Sequence, residues 1–266
     1  MKIGFIGAGR MASAIIRGLT SRKDIIISDK DADLLKQASK RYKVKAAADN
    51  IEAAASSDVI ILAVKPQVMH NVLKELKGHI RAGQLVISIA AGITIKSLEK
   101  YLGKVPVVRV MPNNPSLIGE GISAICGGTF AGEKEIKLAE KIFSAVGETL
   151  RIEERYMNAV TALSGSGPAF VYEVLSALTD GGVEAGLTKD VSAELARKTV
   201  LGSIKTVIKT KKSPEELKEM VTSPGGTTLA GLRVMEEAGF KGILQKAVVK
   251  ASMRAREISE EFERSL

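Results

Sequence analysis

The string Gly7-Ala8-Gly9-Arg10-Met11-Ala12 follows an apolar run at residues 2–6 and opens an amphipathic stretch at 11–19. A strand, a glycine turn and a helix start in that order form a narrow specification. Gly7 permits a tight turn, Gly9 leaves the backbone bare where a pyrophosphate approaches, and Ala12 is small enough for the helix to lie on the strand. The helix start then offers free N–H groups and a positive dipole end to an anion. As an isolated string, G-x-G-x-x-G/A is a weak signal. In this context, with a second strand following, it reads as a dinucleotide site rather than a glycine turn without a ligand.

Further strands are expected at 24–28, 59–64, 85–89, 107–111, 122–126 and 149–152, with helical stretches such as 31–40 and 66–76 between them. This alternation predicts a parallel sheet covered on both faces. The runs at 59–64 and 85–89 are nearly all apolar, as doubly covered strands should be. After about residue 152 the strand pattern stops. Helices are expected at 156–163, 168–181, 190–208, 214–221, 228–238 and 243–263. Ser213-Pro214-Glu215-Glu216 is a capping box with proline at the first helical position, and Gly239 suits the position just past a helix end. The expected fold is an α/β Rossmann-type dinucleotide-binding domain over 1–152, followed by an all-α substrate and dimerisation domain over 153–266. The helical half is rich in small and aliphatic residues and poor in aromatic mass. Its apolar faces call for a second subunit, so a homodimer or higher homo-oligomer is expected.

At 266 residues, 45% of them hydrophobic, the chain can bury a sizeable core and is not disordered. Its one cysteine, Cys126, allows no internal disulfide, which favours a reducing compartment. One Cys and two His exclude a closed Cys/His zinc site built from this chain alone, and no carboxylate motif points to a metal. Those histidines, His70 and His79, are expected at the surface around the helix at 66–76. No run of 18 apolar residues suggests a membrane span, and Met1-Lys2-Ile3-Gly4-Phe5-Ile6 enters a strand directly. A cytoplasmic location is therefore expected. The net charge of +9 comes from basic residues scattered among acids, without tryptophan. It reads as a steering field for small anions, not as a nucleic-acid or membrane surface. The densest basic stretch, 205–212, reads as a solvated helix end.

The second strand ends in Ile27-Ser28-Asp29-Lys30. Asp29 lies where an acid would bind the ribose hydroxyls of NAD. Ser28 and Lys30 flank it and are suited to the 2′-phosphate of NADP, with Arg10 helping from the loop. Asp29 is also placed to cap the following helix. These signals conflict; NADPH is taken as the preferred cofactor, with NADH as the alternative. Ala63-Val64-Lys65-Pro66 and Ile89-Ala90-Ala91-Gly92 end two more strands, and ligands bind outside such carboxyl ends. Lys65 can meet a phosphate or ribose, or remain a solvated turn lysine.

In the helical half, Ser223-Pro224-Gly225-Gly226-Thr227-Thr228 is the most unusual string. Pro-Gly-Gly breaks one helix, and Thr227 or Thr228 is expected to cap the next. Two glycines bare the backbone so that N–H groups can converge on an anion, ringed by three hydroxyls. This suits a carboxylate; an ordinary interhelical turn is the alternative. Leu163-Ser164-Gly165-Ser166-Gly167-Pro168-Ala169 interrupts another helical run, for close backbone approach or only for a kink. Met111-Pro112-Asn113-Asn114-Pro115 ends a strand with two amides that are either ligand donors or turn residues.

Taken with Leu62-Ala63-Val64-Lys65-Pro66-Gln67, Ser88-Ile89-Ala90-Ala91-Gly92, Arg109-Val110-Met111-Pro112-Asn113 and the two glycine-rich helical strings, Ile6-Gly7-Ala8-Gly9 resembles the 1-pyrroline-5-carboxylate reductase family. The strings occur in the family's order over nearly the whole chain, and Ser-Pro-Gly-Gly-Thr-Thr is the specific one. The resemblance implies hydride transfer from NAD(P)H to the imine carbon of 1-pyrroline-5-carboxylate, giving L-proline at the last step of proline biosynthesis. It implies that the substrate carboxylate rests on Ser223, Gly226, Thr227 and Thr228, with Thr228 beside the ring nitrogen as proton donor or orienter. The cofactor set becomes Ile6, Gly7, Ala8, Gly9, Arg10, Met11, Ser28, Asp29, Lys30, Asn50, Ala63, Val64, Lys65, Pro66, Ile89, Ala90 and Ala91. Arg10, Asp29 and Asn114 depart from the common bacterial pattern. An imine is already electrophilic, so a chain with two His can reduce it by positioning alone. A related hydroxyacid dehydrogenase would carry a lysine soon after the first glycine-rich string, yet none occurs between Gly165 and Lys189.

Overall fold

The computed structural model describes residues 1–265. Eight strands form one sheet: β1 (Ile3–Ile6), β2 (Ile25–Ser28), β3 (Lys45–Ala46), β4 (Val59–Leu62), β5 (Leu85–Ser88), β6 (Val107–Met111), β7 (Gly121–Gly127) and β8 (Gly147–Arg151). Their spatial order is β3-β2-β1-β4-β5-β6-β7-β8. Helices α1 (Arg10–Gly18), α2 (Ala32–Tyr42), α3 (Asn50–Ala55), α4 (Pro66–Leu76) and α5 (Ile95–Leu102) make the crossovers, and α6 (Glu133–Phe143) joins β7 to β8.

The expected parallel sheet is present with one antiparallel pair in it, β6 with β7. Their connection holds only a 3-10 turn, Asn114–Ile118, and no helix long enough to return the chain to the starting edge. The strand β3 and the helices α3, α5 and α6 were not among the expected elements. β3 has two exposed residues, too few for a periodic signal, and α3 is set by Asp49, whose side chain accepts the Glu52 N–H.

Successive strand residues feed opposite faces. Phe5, Ile27, Ile61, Ile87 and Val108 join the core under α1 and α6, while Ile6, Ile60, Leu62, Val86 and Val107 join the core under α4 and α5. Every residue of β1, β2, β4 and β5 is buried, which is why these runs show no polar alternation. Each fully buried aliphatic side chain contributes about 1.5–3 kcal/mol. At the far edge Arg151 forks to Glu133 and Glu140 on α6 at 2.6–2.9 Å, which holds both carboxyls below their usual range.

Two compact units divide the chain: 1–166 together with the last helix from 249 onward, and 167–248. The first unit runs past residue 152 because the next segment packs on the sheet. That segment is a 3-10 turn (Glu154–Tyr156), α7 (Met157–Val160) and a π-helical turn (Thr161–Gly165). Met157 is wholly buried against Ala124, Cys126 and Ile95. The second unit holds α8 (Gly167–Glu184), α9 (Lys189–Thr210), α10 (Pro214–Met220), α11 (Thr227–Glu237) and the start of α12 (Phe240–Arg264). Ser213 makes the expected capping box and Gly239 follows the end of α11 with φ +66°. Ser192 of α9 donates to Thr179 O of α8 at 2.6 Å, tying the two long helices together. α8, α10 and α11 bury none of their residues in the single chain, and Val171, Leu178 and Val183 of α8 stand exposed. Lys205 and Lys209 lie exposed near the end of α9, as a solvated helix end requires. Among the described residues no helix is long and apolar enough to cross a membrane.

Burial, then the nearby Glu154 charge, pushes the Cys126 thiol up to about 12. The thiolate that reacts is therefore absent at neutral pH. A chromogenic disulfide reagent at pH 8 should leave the native protein unlabelled and titrate one thiol per chain after denaturation; rapid labelling of the native protein would contradict this burial.

Candidate active site

The order of the sheet reverses between β1 and β4. From β1 the chain moves towards β3, and from β4 it moves towards β8. The helices on the two sides of such a switch point part at the carboxyl ends of the strands and leave a crevice. Gly7 sits at this point with φ +104°, and a Cβ there would lie 2.6 Å from Ala63 O. Its N–H donates to Ser28 O at 2.8 Å, while Ala63 N–H donates to Ile6 O at 2.8 Å. Gly9 differs: nothing lies within 4 Å of a Cβ built there. Gly9 is the N-cap of α1 and brings no side-chain oxygen, whereas Asp31, Asp49 and Thr94 cap α2, α3 and α5 with theirs. The first-turn N–H groups of α1 thus have no side-chain cap, with clear space above Gly9. This cradle fits a dinucleotide diphosphate. A groove of about 390 Å³ continues from it, edged by Arg10, Ser13, Arg17 and Arg41.

Asp29 does not cap α2; that is the work of Asp31, whose carboxylate accepts the Leu34 N–H at 3.0 Å. Instead Asp29 spans the crevice edge, accepting Ala8 N–H at 2.6 Å and Asp31 N–H at 2.9 Å. It ties the glycine turn to the turn after β2. Ser28 is turned inward, donating to Asn50 Oδ1 at 2.8 Å, and Asn50 donates on to Glu75 at 2.9 Å. Both are buried, whereas Lys30 is exposed. Lys65 is the exposed N-cap of α4, followed by Pro66 at its first position. Ile89 extends β5, its N–H donating to Leu62 O at 3.2 Å, and Ala90 and Ala91 follow at the same end of the sheet.

His79 is exposed as expected. His70 is not a surface residue: it is half-buried, its Nδ1 lies 2.8 Å from the Tyr101 hydroxyl, and it meets the Phe262 ring edge-on. Asn113 serves as a turn residue, its Oδ1 accepting Ile122 N–H at 3.0 Å. The glycine-rich string at 163–169 gives close approach: a Cβ on Gly165 would lie 2.6 Å from Met111 Cε, and the π-turn closes through Ser166 N–H to Thr161 O. A pair that the sequence reading missed is Arg109 with Glu154, 3.1 Å apart, with Arg109 3% exposed. The same Glu154 oxygen accepts Ile95 N–H at 2.6 Å. An arginine inside the apolar run Val107-Val108-Arg109-Val110 was its available signal, since a buried charge requires a partner.

In the second unit, Ser223 to Gly226 closes a tight turn, with Gly226 N–H donating to Ser223 O at 3.0 Å and Gly225 at φ +71°. The N-cap of α11 is Gly226, not Thr227 or Thr228 as expected, and it has no side-chain cap. A Cβ at 226 would meet the Ser223 hydroxyl, which would have to rotate away to admit a side chain there. Thr227 and Thr228 become the first two helical residues, Thr227 exposed and Thr228 half-buried. As at α1, a glycine-capped helix start leaves its first N–H groups free of side-chain caps.

Residues 154–258 match the family described as pyrroline-5-carboxylate reductase dimerisation, and residues 2–92 match the NADP oxidoreductase family described as coenzyme F420-dependent. A pyrroline-5-carboxylate reductase of Methanosarcina acetivorans is 43% identical over 263 residues, spanning 97% of each chain. The chain belongs to the pyrroline-5-carboxylate reductase family. Among solved members of that family, the Plasmodium falciparum pyrroline carboxylate reductase with NADP bound is 31% identical, with a TM-score of 0.90 over 97% of this chain and 98% of that one. The enzyme from Coxiella burnetii is 35% identical, with a TM-score of 0.88 over the same shares. The family's N-terminal dinucleotide half and helical half correspond to the sheet and to the helices that follow it.

The two loop glycines should separate cleanly on substitution. Gly7→Ala meets Ala63 O and a positive φ, so it should lower the melting temperature as well as cofactor binding. Gly9→Ala meets open space, so its melting temperature should stay near wild type while its NADPH affinity falls at least tenfold. Calorimetry of both variants, with and without NADPH, reads the difference; unchanged affinity in Gly9→Ala would remove the loop from the cofactor site.

Proposed function

We propose that this protein reduces 1-pyrroline-5-carboxylate to L-proline with NADPH, NADH being the alternative donor, as the final step of proline biosynthesis in the cytoplasm. The single observation that carries the reading is the glycine-capped start of α1 at the switch point of the sheet, echoed in the second unit by the glycine-capped start of α11. Two polar cradles without side-chain caps suit two anionic ligands, one a diphosphate and the other a carboxylate. Family membership supports the same assignment.

Reduction adds a hydride to the imine carbon and a proton to the ring nitrogen. Bound NADPH supplies the hydride. On the protein side, Ile6 to Met11 shape the diphosphate cradle, while Ala63 to Pro66 and Ile89 to Ala91 border the crevice. Ser28, Asp29, Lys30 and Asn50 stand at the end of β2 or beneath it, with Ser28 and Asn50 acting from inside through their buried hydrogen bond. Ser223, Gly226, Thr227 and Thr228 hold the carboxylate, and the Thr228 hydroxyl orients or donates the proton at the ring nitrogen. No strong acid is required, because a protonated imine accepts hydride readily once placed. Residues 1–152 carry the cofactor role. Residues 153–266 carry the substrate and dimerisation roles, and the exposed apolar faces of α8 and α9 support a homodimer or a higher homo-oligomer.

Purified protein should oxidise NADPH when given the cyclic imino acid, and absence of turnover with both nicotinamide cofactors would end this reading. Thr228→Ala should lower turnover about tenfold or more, within the range for lost proton donors; wild-type kinetics would remove Thr228 from the reaction.

Asp29→Ser tests the cofactor edge. The ratio of kcat/KM for NADPH over NADH should rise, because a carboxylate near the ribose repels a 2′-phosphate. An unchanged ratio would confine Asp29 to bridging Ala8 and Asp31.

A further inference from the structure

The loop from Ile89 to Ile95 is tied at its two ends, by Ile89 N–H to Leu62 O and by Thr94, which caps α5 and accepts Ser97 N–H at 3.2 Å. Between them Ala90 N–H donates to the Ser88 hydroxyl at 3.4 Å, and Ile95 N–H is held from outside by Glu154. Gly92 is buried with φ +76°, a backbone conformation that strains any residue carrying a Cβ. What packs against this glycine is the end of α12. A Cβ on Gly92 would lie 2.6 Å from Ile258 Cγ2. One turn on, Phe262 is 8% exposed and packs in the same core as Ala90, Ile93 and Leu98. Next to it, Glu263 accepts the Thr94 hydroxyl at 3.1 Å. Ile258 therefore meets the loop at Gly92 and Glu263 holds its far end at Thr94, while Phe262 joins the core that Ala90 and Ile93 enter.

We propose that the last turns of α12 are a positioning strap, which holds the Ala90–Thr94 loop in the shape that receives the nicotinamide end of the cofactor. This rests on the reading of Ile89 to Ala91 as cofactor residues. The physical case is that a short loop whose middle turns on a positive-φ glycine samples other shapes unless its surroundings hold it. Hydrophobic packing under Ala90 and Ile93, contact on Gly92 and one hydrogen bond at Thr94 restrict those alternatives before the cofactor arrives. Cofactor binding then orders less chain, and affinity rises accordingly. None of the three α12 side chains needs to touch the cofactor.

The test uses the full-length protein and the variants Ile258→Ala, Phe262→Ala, Phe262→Leu and Gly92→Ala. Hydrogen–deuterium exchange is measured without cofactor, and KM for NADPH and for the imino acid is measured well below each melting temperature. In Ile258→Ala and Phe262→Ala, amides of 89–95 should exchange faster while those of 7–12 stay unchanged. KM for NADPH should rise about five- to tenfold, the scale of supports that act without contact, and KM for the imino acid should stay within about twofold. Phe262→Leu should restore most of the loss. Gly92→Ala should raise KM for NADPH by its clash with Ile258, and adding Ile258→Ala should recover part of it, a coupling expected only if the two positions press on each other. A lower melting temperature with unchanged loop exchange, unchanged KM for NADPH, or equal rises in both KM values would overturn the strap. Wild-type protein that neither binds nor oxidises NADPH would instead overturn the assignment of the cofactor residues.

Discussion

The close approach of the turn after β1 to the end of β4 is the constraint on which the ligand end of the first unit depends. Gly7 and Ala63 are so near that a single methyl group would part them. That approach brings the start of α1 to the switch point of the sheet, where its N–H groups face the crevice. It also leaves Ala8 N–H pointing at Asp29, and the resulting 2.6 Å hydrogen bond joins the first two strand ends into one rim. A larger residue at position 7 would move the rim, the helix and the cradle together.

Polar groups in this unit are placed by burial as much as by ligand chemistry. Arg109 enters the core because Glu154 meets it there, and the same carboxylate holds the start of α5. Ser28, Asn50 and Glu75 form a chain of donors and acceptors beneath the crevice edge. Unpaired, a buried hydroxyl or amide such as that of Ser28 or Asn50 would cost about 1–3 kcal/mol, and the buried Arg109 charge more. Their pairing fixes the backbone around the site without occupying it. Glycine does the opposite work at α1 and α11, where the absence of a capping side chain keeps the helix start available.

Much of this was legible in the sequence. The glycine turn, the buried strands, the capping box at Ser213 and the helix end at Gly239 are local features, and local stereochemistry dictates them. The antiparallel β6–β7 pair was not legible, because pairing direction depends on a connection whose path the sequence pattern does not reveal. Asp29 illustrates the same limit. Its position was read correctly as the end of β2, but its partner, Ala8, lies on another strand end. The cap of α11 was misassigned because threonine carries a capping hydroxyl, yet the turn that closes through Gly226 N–H to Ser223 O starts the helix one residue before Thr227.

By itself the sequence determined that a strand–turn–helix cradle opens the chain, that a sheet fills the first half and that helices fill the second. Those outcomes follow from periodicity and from backbone freedom, which act over a few residues. Only the tertiary structure decided that Arg109 meets Glu154, that Ser28 turns inward to Asn50 and that Ile258 rests on Gly92. These contacts join residues distant in the chain, and their geometry exists only once the sheet has twisted and its helices have packed.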